Sequence, residues 1–203
     1  MSTRLYPDLE PYHRGEFSGE GGHRIYYEQS GNELGYPVLF LHGGPGGRTR
    51  SFHRRYFDPS YYRIILMDQR GCGNSKPKGG VSDNTTGHLV KDIEYLRKSL
   101  GVEEWLVFGG SWGSTLALVY ALDHPKQVSG LILRGVFLAR KKEIDWYLNG
   151  IRSFIPEVVD SVRQGSVEST VKYFHHKVFK ENHDVAIKFA KQWGQYELRI
   201  MEI

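Results

Sequence analysis

WLVFGGSWGSTLALVYALDHP, residues 105 to 125, joins three kinds of pattern in one stretch. An apolar run of strand length, Trp105 to Phe108, meets Gly109-Gly110-Ser111-Trp112-Gly113, and a helical pattern carrying Leu116, Leu118, Val119 and Leu122 follows. That is a strand, a sharp turn and a helix. The small residues permit so tight a reversal that Ser111 is expected to stand exposed above the strand end, with the first N–H groups of the helix aimed at the same spot. A serine placed there reads as a nucleophile. The three fixed letters of G-x-S-x-G match by chance on the order of once in ten glycine-rich chains of this size, so the motif alone is weak. The strand before it and the helix after it favour a nucleophile over a merely structural turn.

Working outward, Val38-Leu39-Phe40-Leu41 and Ile64-Ile65-Leu66-Met67 are continuous apolar runs that suit strands buried on both faces of a parallel sheet. Thr85 to Leu100 places Leu89, Ile93, Leu96 and Leu100 on one helical face, with Asn84 or Thr85 as N-cap and Gly101 just past the end. The strand before Ser111, its helix, and Val128 to Leu133 complete a β-α-β-α-β alternation, which predicts an α/β sheet with right-handed crossovers. Upstream, Gly15 to Ser18 and Arg24 to Gln29 flank Gly19-Glu20-Gly21-Gly22 and read as a hairpin. Residues 1 to 12, with Pro7 and Pro11, read as an arm laid on the surface. After Phe137 only helical patterns remain, broken at Pro156 and Gly165, and the last sets Val185, Phe189, Trp193 and Tyr196 on one face. The expected organisation is a core over residues 1–140 and a small helical cap over 141–203.

Composition bounds the function. The 203 residues are 39% hydrophobic and 13% aromatic, an ordinary globular mix. A net charge of +4 and a pI near 9.0 raise the question of an anionic partner, yet acidic and basic residues are interspersed. The densest cluster, Arg48, Arg50, Arg54 and Arg55, reads as a solvated helix face, because nucleic-acid binding needs a broader stripe with stacking aromatics. The single cysteine, Cys72, allows no intrachain disulfide and no zinc spacing. The N-terminus has no apolar signal-like segment and no run of about 18 apolar residues occurs, so a soluble, cytoplasmic protein with no membrane partner is expected.

Two loops are expected to leave strand ends on the same edge as Ser111. In His42-Gly43-Gly44-Pro45-Gly46-Gly47, glycines let backbone N–H groups point at a developing oxyanion. Gly44, or its neighbour Gly43, would there pair with the N–H of Trp112; the alternative is an ordinary strand-to-helix turn. The second loop, Asp68-Gln69-Arg70-Gly71-Cys72-Gly73-Asn74-Ser75, either shapes a pocket or holds itself together by ion pairs and hydrogen bonds, and the structural reading is favoured. Cys72 has no evident base beside it and reads as inert.

Taken together, HGGPGG at 42–47, DQRGCGNS at 68–75, DNTT at 83–86, GGSWGSTLAL at 109–118 and LRGVF at 133–137 resemble the proline iminopeptidase (prolyl aminopeptidase) family, in its order and spacing from about residue 10 to about 197. The resemblance implies an α/β-hydrolase sheet with helices on both faces and a helical cap. The implied activity is a serine aminopeptidase that releases N-terminal proline from peptides without cofactor or metal. It places Ser111 at the nucleophile and Gly44 and Trp112 at the oxyanion donors; Gly43, from the reading of the glycine loop, is a substrate-binding candidate. The segment Trp193-Gly194-Gln195-Tyr196-Glu197 is similar to the family's W-x-x-W-E segment, whose glutamate accepts the substrate's amino terminus, with Tyr196 in place of the usual tryptophan. Glu197 is therefore a substrate-binding candidate, since a buried ammonium must be paired; a surface glutamate is the alternative.

In that family the acid and the histidine follow the cap, and this chain reaches Ile203 inside it, so the last strands of the sheet are expected to be missing and the chain truncated. His124, on the same helix as Ser111, would lie roughly 20 Å away at 1.5 Å per residue. His42 is read as a support for the oxyanion loop, and the position after Val128–Leu133 carries Arg134-Gly135-Val136-Phe137 and no carboxylate. The strand at 128–133 would then be left as a sheet edge open to pairing. The expected outcome is weak or no activity for this form. The alternatives are a non-catalytic hydrolase scaffold that acts by binding, or another serine hydrolase such as an esterase. The oligomeric state is left open.

Overall fold

A computed structural model describes residues 5–201. The chain divides into two compact units, Met1–Leu138 and Ala139–Ile203. The first holds β1 (His13–Ser18), β2 (Arg24–Gly31), β3 (Tyr36–Leu41), β4 (Tyr62–Met67), α1 (Thr86–Ser99), β5 (Trp105–Gly110), α2 (Trp112–Asp123) and β6 (Val128–Arg134). Among the described residues these strands form one sheet in the order β1-β2-β4-β3-β5-β6. The four strands from β4 to β6 run parallel, and the β1–β2 hairpin is added antiparallel to β4.

The apolar runs of β3 and β4 bury alternate residues on opposite faces, as the pleat requires. On one face Leu39, Leu41, Ile65, Met67 and Val107 meet Leu89, Ile93 and Leu96 of α1 and Leu116, Ala117 and Tyr120 of α2. On the other, Val38, Phe40, Ile64 and Leu66 pack with Phe57, and Leu9 adds to this layer. That second face is covered by a short 3-10 helix, Ser51–Tyr56, and the segment that begins the described chain. α2 buries Gly113, Leu116, Ala117 and Tyr120, while Leu122 is 80% exposed. α2 is apolar nearly all round, and contact with the sheet, not the spacing of leucines, sets which side is buried.

The arginine cluster is also corrected. Arg54 is buried, its guanidinium donating to both carboxylate oxygens of Glu28 on β2 at 2.7 and 3.1 Å and to the Leu9 carbonyl at 3.0 Å. Arg55 donates to the Tyr6 carbonyl at 2.6 Å, and the Tyr6 N–H donates back to the Arg55 carbonyl. These bonds fasten residues 5–12 to the 3-10 helix, so the proposed surface arm is anchored over its described part; residues 1–4 of that arm lie outside the described residues.

The second unit contains α3 (Lys141–Leu148), α4 (Pro156–Asp160), α5 (Val167–Phe179) and α6 (His183–Ile200). Pro156 opens α4, and Gly165, at φ 78°, stands just before the Ser166 cap of α5. Its core joins Leu148, Ile151, Val159, Val162, Phe174 and Tyr196, with Phe189 and Trp193 partly buried against them. No helix among the described residues is long and apolar enough to cross a membrane.

A buried ion pair ties the loop after β4 to α1. Arg70, fully buried, donates through Nε and Nη2 to the two carboxylate oxygens of Asp92 at 2.6 and 2.7 Å, and through Nη1 to the Glu20 carbonyl at 3.1 Å. Removing Asp92 leaves the buried Arg70 charge without its counter-ion, so Asp92→Ala is expected to cost about 3–5 kcal/mol. Urea unfolding followed by circular dichroism measures it; a loss under about 1 kcal/mol would show that water reaches Arg70.

Candidate active site

Three connections converge because β3 lies between β4 and β5. The chain leaves β3 to one side to build β4, then comes back to place β5 on the other, so the carboxyl ends of β3 and β5 border a topological switch point. Leu41 is level with Gly109 and with Met67, and Gly110 with Arg134. The loops that begin at His42, Asp68, Ser111 and Gly135 therefore open on one edge.

Ser111 is exposed and has φ 54° and ψ −122°, a conformation that an L residue holds only under strain. Its glycine neighbours explain how the turn closes. A Cβ on Gly109 would collide with the Gly113 carbonyl oxygen, and one on Gly113 would collide with that of Leu41. The turn can fold this tightly only with hydrogen at both positions. Ser111 N–H donates to the Arg134 carbonyl at 2.9 Å, and the Ser111 carbonyl accepts from Ser114 N–H and Ser114 Oγ at 2.8 and 2.6 Å. Ser114 Oγ also accepts from Phe137 N–H at 3.1 Å, and Thr115 Oγ1 donates to the Phe137 carbonyl. The end of β6 and the residues after it thus pin the elbow.

The glycine loop lies against this serine. A Cβ on Gly43 would meet the Gly110 carbonyl at 3.0 Å and the Ser111 Cβ at 3.2 Å, and Gly44, at φ 126°, turns the backbone away from the region open to other residues. Gly47 N–H donates to the Gly43 carbonyl at 3.2 Å and closes the loop. Trp112 N–H, the first of α2, has by its position no acceptor within the helix.

Gln69 holds these parts together. Its backbone N–H donates to His42 Nε2 at 3.0 Å, its side-chain amide donates to the His42 carbonyl at 2.8 Å, and its amide oxygen accepts from the Trp112 indole at 3.0 Å. His42 Nδ1, which carries the proton in this arrangement, donates to the Gly43 carbonyl at 2.9 Å. Both ring nitrogens are in use, and burial holds this histidine below its usual range. Asp68 accepts from Thr49 N–H at 2.7 Å, Thr49 Oγ1 at 2.9 Å and Asn74 N–H at 2.9 Å. The loop from Asp68 is held by its own hydrogen bonds while also buttressing the glycine loop.

Ser111 edges a cleft of about 550 Å³ whose lining includes His42, Gly43, Arg48, Arg50, His53 and Arg134. His53 was missed by sequence reasoning, since no local motif marks it as part of the cleft: its ring stacks on Phe40 of β3 at 4.3 Å. Its Nδ1 accepts from Arg50 N–H at 3.0 Å, and burial, with help from His42 and Arg50, lowers its pKa to about 4. His53 is neutral at pH 7 with its proton on Nε2. Neither cleft histidine therefore offers Ser111 a free lone pair. Among the described residues, no group of three or more His, Cys, Asp and Glu is placed to hold a metal ion.

The family model for the alpha/beta hydrolase fold matches residues 36–195. The chain belongs to the α/β-hydrolase fold family. A proline iminopeptidase of Arabidopsis thaliana is 48% identical over 200 residues, covering 96% of this chain and 53% of that protein. A proline iminopeptidase of Neisseria meningitidis is 43% identical over 199 residues, covering 95% and 64% respectively. The chain thus spans between half and two thirds of the length of these curated relatives. The crystal structure of a proline iminopeptidase-related protein from Thermus thermophilus superposes with a TM-score of 0.59 at 22% identity, over 92% of this chain and 68% of that one, a likeness of fold.

Within this α/β-hydrolase, two more candidates have defined surroundings. Glu197 is exposed on α6, where it accepts from the Trp193 indole at 3.0 Å. Burial, together with Glu197, pushes the Tyr147 hydroxyl up. Cys72 is buried, and burial and the Asp68 carboxylate push its thiol up to about 11.

Two outcomes follow from this geometry. Ser111→Gly relieves the strained backbone and is expected to stabilise the fold by about 1 kcal/mol, after glycine's own entropic cost; thermal unfolding against the parent decides, and a destabilised variant would contradict the strain. Iodoacetamide at about pH 8 should alkylate Cys72 at least about 100-fold more slowly than a free thiol, because roughly one thiol in a thousand is ionised. Mass spectrometry over time reads this, and rapid labelling would contradict the burial.

Proposed function

We propose that this chain carries the nucleophile and oxyanion hole of a serine aminopeptidase that releases N-terminal proline from peptides. The observation that carries the reading is the strained, exposed Ser111 at a switch point, with Gly43-Gly44 against it. Ser111 Oγ would attack the carbonyl carbon of the N-terminal proline, and the N–H groups of Gly44 and Trp112 would receive the negative oxygen of the tetrahedral intermediate. Collapse of that intermediate expels the amine of the next residue, which takes up the proton the serine gave. Water then releases proline from the acyl-enzyme. Glu197 would accept the ammonium of the substrate's amino terminus. The proline specificity rests on the names of the relatives at 43–48% identity.

The proton needs a carrier, and both histidines on the Ser111 cleft already have their acceptor nitrogen taken. Without a base, such a site retains roughly 10³ to 10⁴ over water from its oxyanion hole and binding. The 203-residue chain is accordingly expected to hydrolyse a chromogenic proline amide weakly at best, and Ser111→Ala to remove what activity there is. Turnover by the chain at an ordinary enzymatic rate of about 10 s⁻¹, lost in Ser111→Ala, would show that a base is present and overturn the expectation. Activity unchanged in Ser111→Ala would overturn the assignment of the nucleophile. A simple acyl ester hydrolysed in preference to the proline amide would favour an esterase.

A further inference from the structure

We infer that the Ser111 cleft recognises a carboxylate on the leaving side of its substrate and that Arg48 and Arg50 hold it; this rests on the reading of Ser111 as the nucleophile. The four arginines between residues 48 and 55 divide into two pairs. Arg54 and Arg55 turn to the fold and are used by Glu28 and by the Leu9 and Tyr6 carbonyls. Arg48 and Arg50 line the cleft, and among the described residues their guanidinium groups have no carboxylate or carbonyl partner. Stability accounts for the first pair and leaves the second unexplained.

The neighbouring polar groups narrow the ligand. No aspartate or glutamate lines the cleft among the described residues. Asp68 lies close by, but its carboxylate is engaged by Thr49 and Asn74. His53, with Nδ1 occupied by Arg50 N–H, has only the Nε2 proton left to donate. Three arginines, Arg48, Arg50 and Arg134, and an imidazole N–H therefore border the cleft. Such a set repels an ammonium and suits an anion, and the planar fork of a guanidinium matches a carboxylate in geometry. A cleft of about 550 Å³ is large enough for a dipeptide-sized molecule. In the reaction proposed for Ser111, the anion belongs to the released part, either as the free C-terminus of a dipeptide or as an acidic side chain following the proline.

The test is binding, so that it does not depend on turnover. The ¹⁵N-labelled 203-residue chain is titrated by NMR with Pro-Gly, Pro-Gly amide, Pro-Glu amide and Ala-Gly, following the backbone amides of residues 46–54. Pro-Gly is expected to bind about tenfold more tightly than Pro-Gly amide, and Arg48→Gln/Arg50→Gln should remove that difference. Matching circular dichroism and urea midpoints establish that the double variant is folded. Pro-Glu amide binding as well as Pro-Gly would support the inference with a side chain as the source of the carboxylate; Pro-Glu amide binding no better than Pro-Gly amide, with Pro-Gly still preferred, would support it with the C-terminus as the source. Equal affinities for Pro-Gly and its amide, no detectable binding of Pro-Gly, or a difference that survives in the double variant would overturn it. Ala-Gly binding like Pro-Gly would instead count against the proline reading and leave the role of the arginines standing.

Discussion

Ser111 occupies a backbone conformation that glycine accepts and serine resists, at a cost on the order of 1–3 kcal/mol. The surrounding structure has to supply that energy and hold the residue against relaxation. Gly109 and Gly113 give the space, since any Cβ at either position would run into a backbone carbonyl. The Arg134 carbonyl takes the Ser111 N–H, and Ser114 bridges the Ser111 carbonyl to Phe137. A loop held only by its own turn would relax; this one is anchored to the sheet on both sides.

The same requirement for rigidity explains the polar residues buried behind the glycine loop. Gln69 joins His42 and Trp112, so a residue from the loop after β4 connects the glycine loop to the start of α2. Arg70, the next residue, is locked to Asp92 on α1 and fixes the base of that connection. Buried groups of this kind are costly unless fully paired, and in this network the hydrogen bonds are also what keep three separate loops in register. The geometry around Ser111 and the stability of the fold draw here on the same bonds.

How much of this could be read from the sequence depends on where each residue's environment comes from. Ser111 was legible because its strand, turn and helix are contiguous, and so was the alternation of β3, β4 and α1, whose apolar spacing has a phase. Which side of α2 is buried was not legible, because the helix is apolar nearly all round and periodicity then carries no direction. Arg54 looked like part of a solvated face because its partner, Glu28, is on a strand 26 residues away. His53 was invisible because what marks it, its place in the cleft and its stacking on Phe40 of β3, follows from the docking of the turn onto the sheet. The role of Gln69 likewise depends on the loops brought together by the order of the strands, which no local pattern encodes.

The two halves of the site also differ in how far the chain must close on itself to make them. Arg134 and Phe137, which fix the elbow, follow Ser111 by 23 and 26 positions. The glycine loop reaches Ser111 only when β3 aligns with β5, pairing Val38 with Leu106 across 68 positions. Closure entropy rises with the length of the loop, though slowly, and long-range pairing is the slower event in folding. The serine can therefore be cocked by its own segment, β5 through β6, before the glycine loop arrives. A nascent chain released only as far as Phe137 would already contain every residue needed for both events, with the elbow set by near neighbours in sequence and the glycine loop by the docking of β3.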